Sequence, residues 1–461
     1  MTRRERLVLL ASTVGFSMVL LDTTVVNVAL GSIARDLHAG PVTLEWVANA
    51  YTLVFAGLLL STGLAADRLG ARAVFLTGLA TFAAGSVAAS LAPTAGALVA
   101  AQALLGVGAA LVLPTSLSLL SQVFADPARR VRAVGIWAAG SAVSFAAGPV
   151  AGGLLIEQAG WRSIFVINLP LAVLAAALVL SQVRGGRPAA HATAPLNVGA
   201  QAAAVAMLVA LTFGLVESGG RGWGSAPVVV ALGTAAVLAA GLWRRERSAQ
   251  WRLVPHELAS DRRFTALTAG GALLNFAFYG ELFFLSLFLQ QERGLDALET
   301  GLAFLPQPVL FMAAAPLAGR LLARGPRLAL ALGAGIAVAG ALALLAVDAD
   351  SSYGVLMVGL ALNGLGGGLA IPAVTAGVMG SAPPALAGIA SATLNAGRQI
   401  GGVLGVAVLG GIAAGAGGVE VAGMHRAVLI AALGLAVASA LSLRLREPRT
   451  AVAGQAALAT D

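Results

Sequence analysis

Three charged residues fall inside stretches that are otherwise almost wholly apolar. They are Asp22 in "LLDTTVVNVAL" (20–30), Glu281 in "NFAFYGELFFLSLFLQ" (275–290) and Arg398 in "NAGRQIGG" (395–402). An ionised side chain in hydrocarbon is costly unless it meets a partner or a wet cavity, so such residues mark ion or substrate paths by default. A carboxylate there can take up and release a proton, whereas an arginine stays charged and acts as a fixed counter-charge for a carboxylate or for a substrate. Asp22 shares a helical stripe with Gly15, Met18, Val26 and Ala29, so its face is not a solvated one. Around Glu281 gather six of the chain's 16 Phe (Phe264, Phe276, Phe278, Phe283, Phe284 and Phe288), with Tyr279 beside them. Rings around a carboxylate suit lipophilic or cationic guests, and they equally suit packing within a bundle or against lipid. The four His lie in loops or at helix ends, which disfavours a histidine relay, and Glu157 and Glu217 read as solvated helix ends.

The elements that must position these residues are membrane helices. Of 461 residues, 59% are hydrophobic and 10% charged, too little polar matter to cover a soluble surface. Apolar stretches recur at 8–30, 44–66, 74–92, 95–124, 133–156, 163–183, 196–217, 226–243, 265–289, 301–322, 328–347, 353–379, 386–414 and 424–443. Fourteen spanning helices are expected, the first of them a retained span and not a cleaved signal. All 28 basic residues are Arg. With the N-terminus cytoplasmic, 22 Arg fall on the inner side and five (Arg35, Arg162, Arg221, Arg293, Arg426) outside, which places both termini in the cytoplasm and assigns the +8 charge to topology and lipid headgroups, not to nucleic acid. The absence of Lys excludes a Walker-type nucleotide loop and Schiff-base chemistry, and the absence of Cys excludes thiolate sites. No metal-ligand spacing and no soluble domain support an enzyme or sensor.

"GLAADRLGAR" (63–72) and "AGRLLARGPR" (318–327) are alike and each links a second to a third helix, which points to a duplicated six-helix unit. The fold expected is all-α and membrane-integral: a six-helix bundle (1–183), two inserted helices with a cytoplasmic linker (184–263), a second six-helix bundle (264–443) and a cytoplasmic tail (444–461).

The chain resembles the 14-helix drug:proton antiporters of the major facilitator superfamily over nearly its whole length. The resemblance rests on "LDTTVVNVAL", "GLAADRLGAR", "GPVAGG" (148–153), "GWRSIFVINLP" (160–170), "GLVESGGRGW" (214–223) and "AGIASATLNAGRQIGGVLGVAVLG" (387–410), in that order. It departs from the family pattern in the fourth helix, "AQALLGVGAALVLP" (101–114), where Gln102 stands at the usual Arg and Leu105 at the usual Gln, and at Gly31 where Pro is usual.

The resemblance implies roles. Gly63, Asp67, Arg68, Gly70 and Arg72 would form a gating latch, with Asp67 meeting Arg129, Arg130 or Arg132, or the helix start near Leu386. Gly140, Ser144, Gly148 and Gly152 recur every fourth residue and lay a small-residue groove on the fifth helix, which Pro149 should bend; with Gly153 they make the antiporter motif. From the residues themselves, their charge and their depth in the first helix of each half, Asp22 and Glu281 with Arg398 are expected to couple protons, the two carboxylates looking into one central space lined by Asn27, Gln102, Phe278, Tyr279, Phe284 and Phe288. The function expected is a proton-coupled antiporter exporting small hydrophobic or cationic compounds across the plasma membrane. It would need no cofactor, metal, nucleotide or nucleic acid, its partners being substrate, protons and bilayer, and a monomer is expected. The rival is an uptake symporter or facilitator for a metabolite on the same fold.

Overall fold

The computed structural model describes residues 1–124, 126–183, 198–248, 254–323, 325–383, 386–415 and 418–443. Its helices are α1 (Arg3–Leu37), α2 (Pro41–Leu69), α3 (Ala71–Ser90), α4 (Ala95–Val123), α5 (Pro127–Ala159), α6 (Ser163–Val166), α7 (Asn168–Gln182), α8 (Val198–Arg221), α9 (Ala226–Ser248), α10 (His256–Ser260), α11 (Arg262–Gln291), α12 (Ala297–Ala303), α13 (Pro306–Ala313), α14 (Ala315–Leu322), α15 (Pro326–Ala343), α16 (Tyr353–Ser381), α17 (Ala387–Ala413) and α18 (Val421–Leu443). They supply fourteen helices long and apolar enough to cross a membrane; α6 with α7 makes one, and α12 with α13 and α14 another. A two-residue pairing of β1 (Ala414–Gly415) with β2 (Gly418–Val419) closes the turn after α17.

Local sequence explains where these elements start and break. Thr2 accepts from the Glu5 amide at 3.1 Å while Glu5 accepts from the Thr2 amide at 2.6 Å, a capping box that starts α1. Asp126 caps α5 through the Arg129 amide, ahead of Pro127 in the first turn. The tenth span is broken where Pro306 and Pro316 enter it, because proline lacks the amide that would continue the ladder. Gly70, at φ 86°, and Gly325, at φ 111°, make the two turns that the sequence repeat aligns, a left-handed conformation that favours glycine in both.

The packing order repeats between halves. In the first, α1 packs on α4, α5 and α7, α3 on α4 and α7, and α2 on α4. In the second, α11 packs on α16, α17 and α18, α15 on α16 and α18, and α13 on α16. All six spans therefore take part in relations that recur in both halves, as expected of a duplicated unit. Across the seam, α2 meets α17, α5 meets α12 and α1 meets α11. The pair α8 and α9 stands outside this symmetry. Helix α8 rests on both α2 and α17, with Leu208 joining Leu53 and Val403 in a small apolar cluster over the seam.

Candidate functional site

Accessibility along the two first spans locates the site. In α1 every residue from 21 to 31 is buried, while Thr13, Val14, Phe16, Ser17 and Leu20 are partly accessible. In α11 every residue from 280 to 290 is buried, while Ala272, Leu273, Phe276, Phe278 and Tyr279 are partly accessible. Both helices start on the face where the N-terminus lies, so their buried stretches lie toward the far face and their partly accessible stretches toward the terminal face. The seal is a set of close contacts. Ser286 Oγ donates to the Asn27 carbonyl at 2.6 Å, Gly31 lies against the Gln290 side chain, and Gly301 against the Pro149 carbonyl. A Cβ on Gly153 would sit 2.6 Å from the Leu298 Cα.

Asp22 and Glu281 stand at the start of the sealed stretch, each nineteen residues past the first residue of its helix. Their surroundings are alike in kind. Asn168 of α7 donates its Nδ2 to Asp22 Oδ1 at 2.9 Å and also reaches Ser86 Oγ of α3 at 3.2 Å. Asn363 of α16 donates to Glu281 Oε2 at 2.8 Å. Each carboxylate keeps its other oxygen, Asp22 Oδ2 and Glu281 Oε1, buried without a hydrogen-bond partner. Asp22 is 3% exposed and Glu281 2%, so both are shut off from bulk water. They turn into separate bundles, Asp22 toward α3 and α7 and Glu281 toward α16, and share no partner. The amide that holds Asp22 comes from Asn168, not from Gln102, whose Oε1 is buried without a partner.

Arg398 of α17 pairs with neither carboxylate. Its Nε donates to Asn275 Oδ1 at 3.5 Å, and the Tyr279 phenol lies within electrostatic reach. Tyr279 interacts with the Thr23 side chain of α1 across the seam and stacks edge-on against Phe278, centroids 5.2 Å apart. Tyr51 of α2 donates to the Val19 carbonyl at 3.2 Å and lies within reach of both Asp22 and Tyr279. Of the expected cavity residues, Phe278 and Tyr279 are therefore at the accessible face. Asn27, Gln102, Phe284 and Phe288 are buried, Asn27 bonding the Thr23 carbonyl and the two Phe packing in the core.

The fifth-helix motif has two faces. Gly140 meets Thr13, Gly148 meets Thr24 and Gly152 meets Val25, all on α1, so the expected groove receives the first span. Pro149 and Gly153, between them, face Gly301 and Leu298 of the other half. In the loop 2–3 motif, Gly70 makes the turn and the Arg72 Nε is buried without a partner; the side chains at Gly63, Asp67 and Arg68 lie outside the described residues.

Several polar residues escaped the sequence reading. Asn168, Asn363 and Tyr51 carry no charge, and their pairings join helices far apart in the chain. Glu45 lay at the edge of an apolar stretch expected to begin at 44, but α2 begins at Pro41 and carries it inward, 2% exposed, with Cδ 3.4 Å from where a Gly410 Cβ would be. Glu217, read as solvated, accepts from Trp46 Nε1 at 3.2 Å and from Arg221 Nε at 2.6 Å, and its side chain is 14% exposed. Among the described residues no group of three His, Cys, Asp or Glu is placed to hold a metal.

A family model described as Major Facilitator Superfamily matches residues 13–406. The methylenomycin A resistance protein of Streptomyces coelicolor is 37% identical over 398 residues, covering 86% of this chain and 83% of its own. The multidrug resistance protein Stp of Mycobacterium tuberculosis is 36% identical over 416 residues, covering 90% and 77%. The tetracenomycin C resistance and export protein of Streptomyces glaucescens is 34% identical over 406 residues, covering 87% and 74%. Among solved structures, a bacterial homologue of the human lysosomal transporter Spinster, in an inward-facing and unoccupied conformation, superposes with a TM-score of 0.70 at 17% identity, covering 96% of this chain and 97% of that one.

Proposed function

The chain belongs to the Major Facilitator Superfamily, and from that membership we propose that it is a proton-coupled antiporter exporting small, mostly hydrophobic compounds of the antibiotic or secondary-metabolite class. The names of its relatives, resistance to methylenomycin A and export of tetracenomycin C among them, support the substrate class and direction. The 22-to-5 distribution of Arg supports cytoplasmic termini, which makes the accessible face cytoplasmic and the sealed face external.

The observation that carries proton coupling is the matched pair of carboxylates, each with one oxygen held by an asparagine amide and the other bare. The amide fixes the side chain, and the bare oxygen is the atom to which a proton adds. In a desolvated setting the charged and neutral forms differ strongly in their preference for burial. Occupancy by a proton therefore biases which face stays closed, the requirement for coupling a proton to alternating access. A proton entering down a potential of about 150 mV releases roughly 3.5 kcal/mol, enough for a gradient of a few hundredfold of a neutral compound.

The test is substrate-driven proton flux. In inside-out vesicles holding an imposed pH gradient, a transported compound should collapse the gradient with the wild-type chain and should not with Asp22→Asn/Glu281→Gln. Transport that proceeds equally without a proton gradient would replace this reading with facilitated diffusion.

A further inference from the structure

The charge balance at the apex of the accessible region differs from that of a site for cations. Asp22 and Glu281 are turned into their own bundles and held by Asn168 and Asn363. Among the described residues, Arg398 and Tyr279 are partly accessible on this side, and Asn275, itself buried, holds Arg398 Nε. Among the described residues Arg398 makes no ion pair, and Nη1 and Nη2 make no hydrogen bond; Nε alone is engaged, by Asn275 at 3.5 Å. The side chain is partly accessible. A glycine makes room for the neighbouring phenol ring: a Cβ on Gly402 would lie 2.9 Å from Tyr279, while Gly271 packs at ordinary contact distance from the Arg398 stem.

A guanidinium lifted from bulk water without a counter-ion is a destabilised group, and a bidentate carboxylate is the partner its planar fork fits best. The Tyr279 phenol stands beside it as a further donor, and Phe278, edge-on to Tyr279, supplies an apolar wall. We infer that Arg398, Tyr279 and Asn275 form the seat for an acidic group, so that the compounds bound in the accessible region are small lipophilic acids in preference to amines. This deepens the export reading by naming its substrate class and rests on that reading for the direction of transport. The aromatic face takes the lipophilic body, Nη1 and Nη2 take the two oxygens of the acid, and Tyr279 reports the occupancy to Thr23 of the first span.

Equilibrium binding tests it apart from transport. The protein in nanodiscs is titrated at pH 7.5 with three fluorescent probes of one scaffold: pyrenebutyrate, its primary amide and pyrenebutylamine. Wild type should bind the acid about tenfold more tightly than the amide or the amine. Arg398→Gln should erase that preference while holding the amide within about twofold, and Arg398→Lys should keep part of it. Tyr279→Phe, which retains the ring, should weaken the acid several-fold without weakening the amide, and it carries the test should Arg398→Gln fail to fold. Equal binding of the three probes by wild type, tighter binding of the amine, or a preference for the acid that survives Arg398→Gln would each overturn the inference. If acid preference holds but vesicles show no proton-driven acid efflux, the export reading fails and the site assignment stands.

Discussion

At the scale of single residues, the opening contrast between charge and apolar surroundings resolves into two half-satisfied carboxylates and one unpaired guanidinium. If the bare oxygens are the proton sites, Asp22→Asn and Glu281→Gln should each abolish or strongly reduce proton-coupled efflux while leaving equilibrium binding of a neutral probe in place; normal efflux by Asp22→Asn across pH 6 to 8 would make that carboxylate structural. Asn168→Ala separates holding from carrying. It strips Asp22 of the donor at 2.9 Å and leaves a buried acceptor unpaired, a loss of about 1–3 kcal/mol that should appear as a lowered thermal unfolding midpoint, with some proton coupling retained because the acid remains. The sequence makes Asp22, Glu281 and Arg398 legible because charge in an apolar run stands out without any alignment. Asn168 and Asn363 stay hidden because an amide in a membrane helix is unremarkable until its partner, 146 or 82 residues away, is known.

At the scale of elements, small residues decide how closely helices can approach, and each glycine of "GPVAGG" answers to a particular neighbour. Gly148 and Gly152 serve the packing of α5 on α1, within one half, while Gly153 serves the contact of α5 with α12, across the seam. The two kinds of contact should fail differently. Gly153→Leu drives a side chain into the Leu298 backbone and can be accommodated only by parting the halves on the sealed side, so it should raise substrate-independent proton leak in vesicles several-fold with a folded yield near wild type. Gly148→Leu collides with Thr24 inside its own bundle and should instead lower folded yield and unfolding midpoint. If both variants merely unfold, the seam contact is not a gate. The groove was readable from the fourfold spacing, since that spacing defines one helix face; the second face was not, because which helix lies opposite depends on the assembly of the two halves. The extent of α2 was likewise set by packing, for the far ends of α17 and α8 bury Glu45 and partner Trp46, and no local signal at residues 41 to 45 announces either contact.

At the scale of the whole molecule, the duplicated packing order and the inserted pair were expected from counting spans and comparing two turns, because hydropathy and positive charge act on whole segments. The access state was not, since one sequence encodes every state of a transporter and only a structure selects one. Two experiments follow from a chain that has no Cys of its own. Single Cys at Thr94 or Gly220, both exposed at the far face, should react in intact cells with an impermeant thiol reagent, and Cys at Ser260 should not. Reversed labelling would invert the assignment of the sealed face. The second experiment locks the seal itself. A Cβ on Gly31 would lie 3.2 Å from the Gln290 Cβ, a few tenths of an ångström inside the separation of about 3.8 Å that a disulfide prefers, so the pair Gly31→Cys/Gln290→Cys should cross-link when oxidised. Because this contact joins α1 to α11 in the sealed part and alternating access requires it to open, the cross-linked protein should bind substrate from the terminal face with wild-type affinity yet complete no transport cycle. Reduction should restore efflux. Continued export by the oxidised, quantitatively cross-linked protein would mean that α1 and α11 do not separate there during transport, and the far-face seal would have to be assigned to α2 with α17 or α5 with α12 instead.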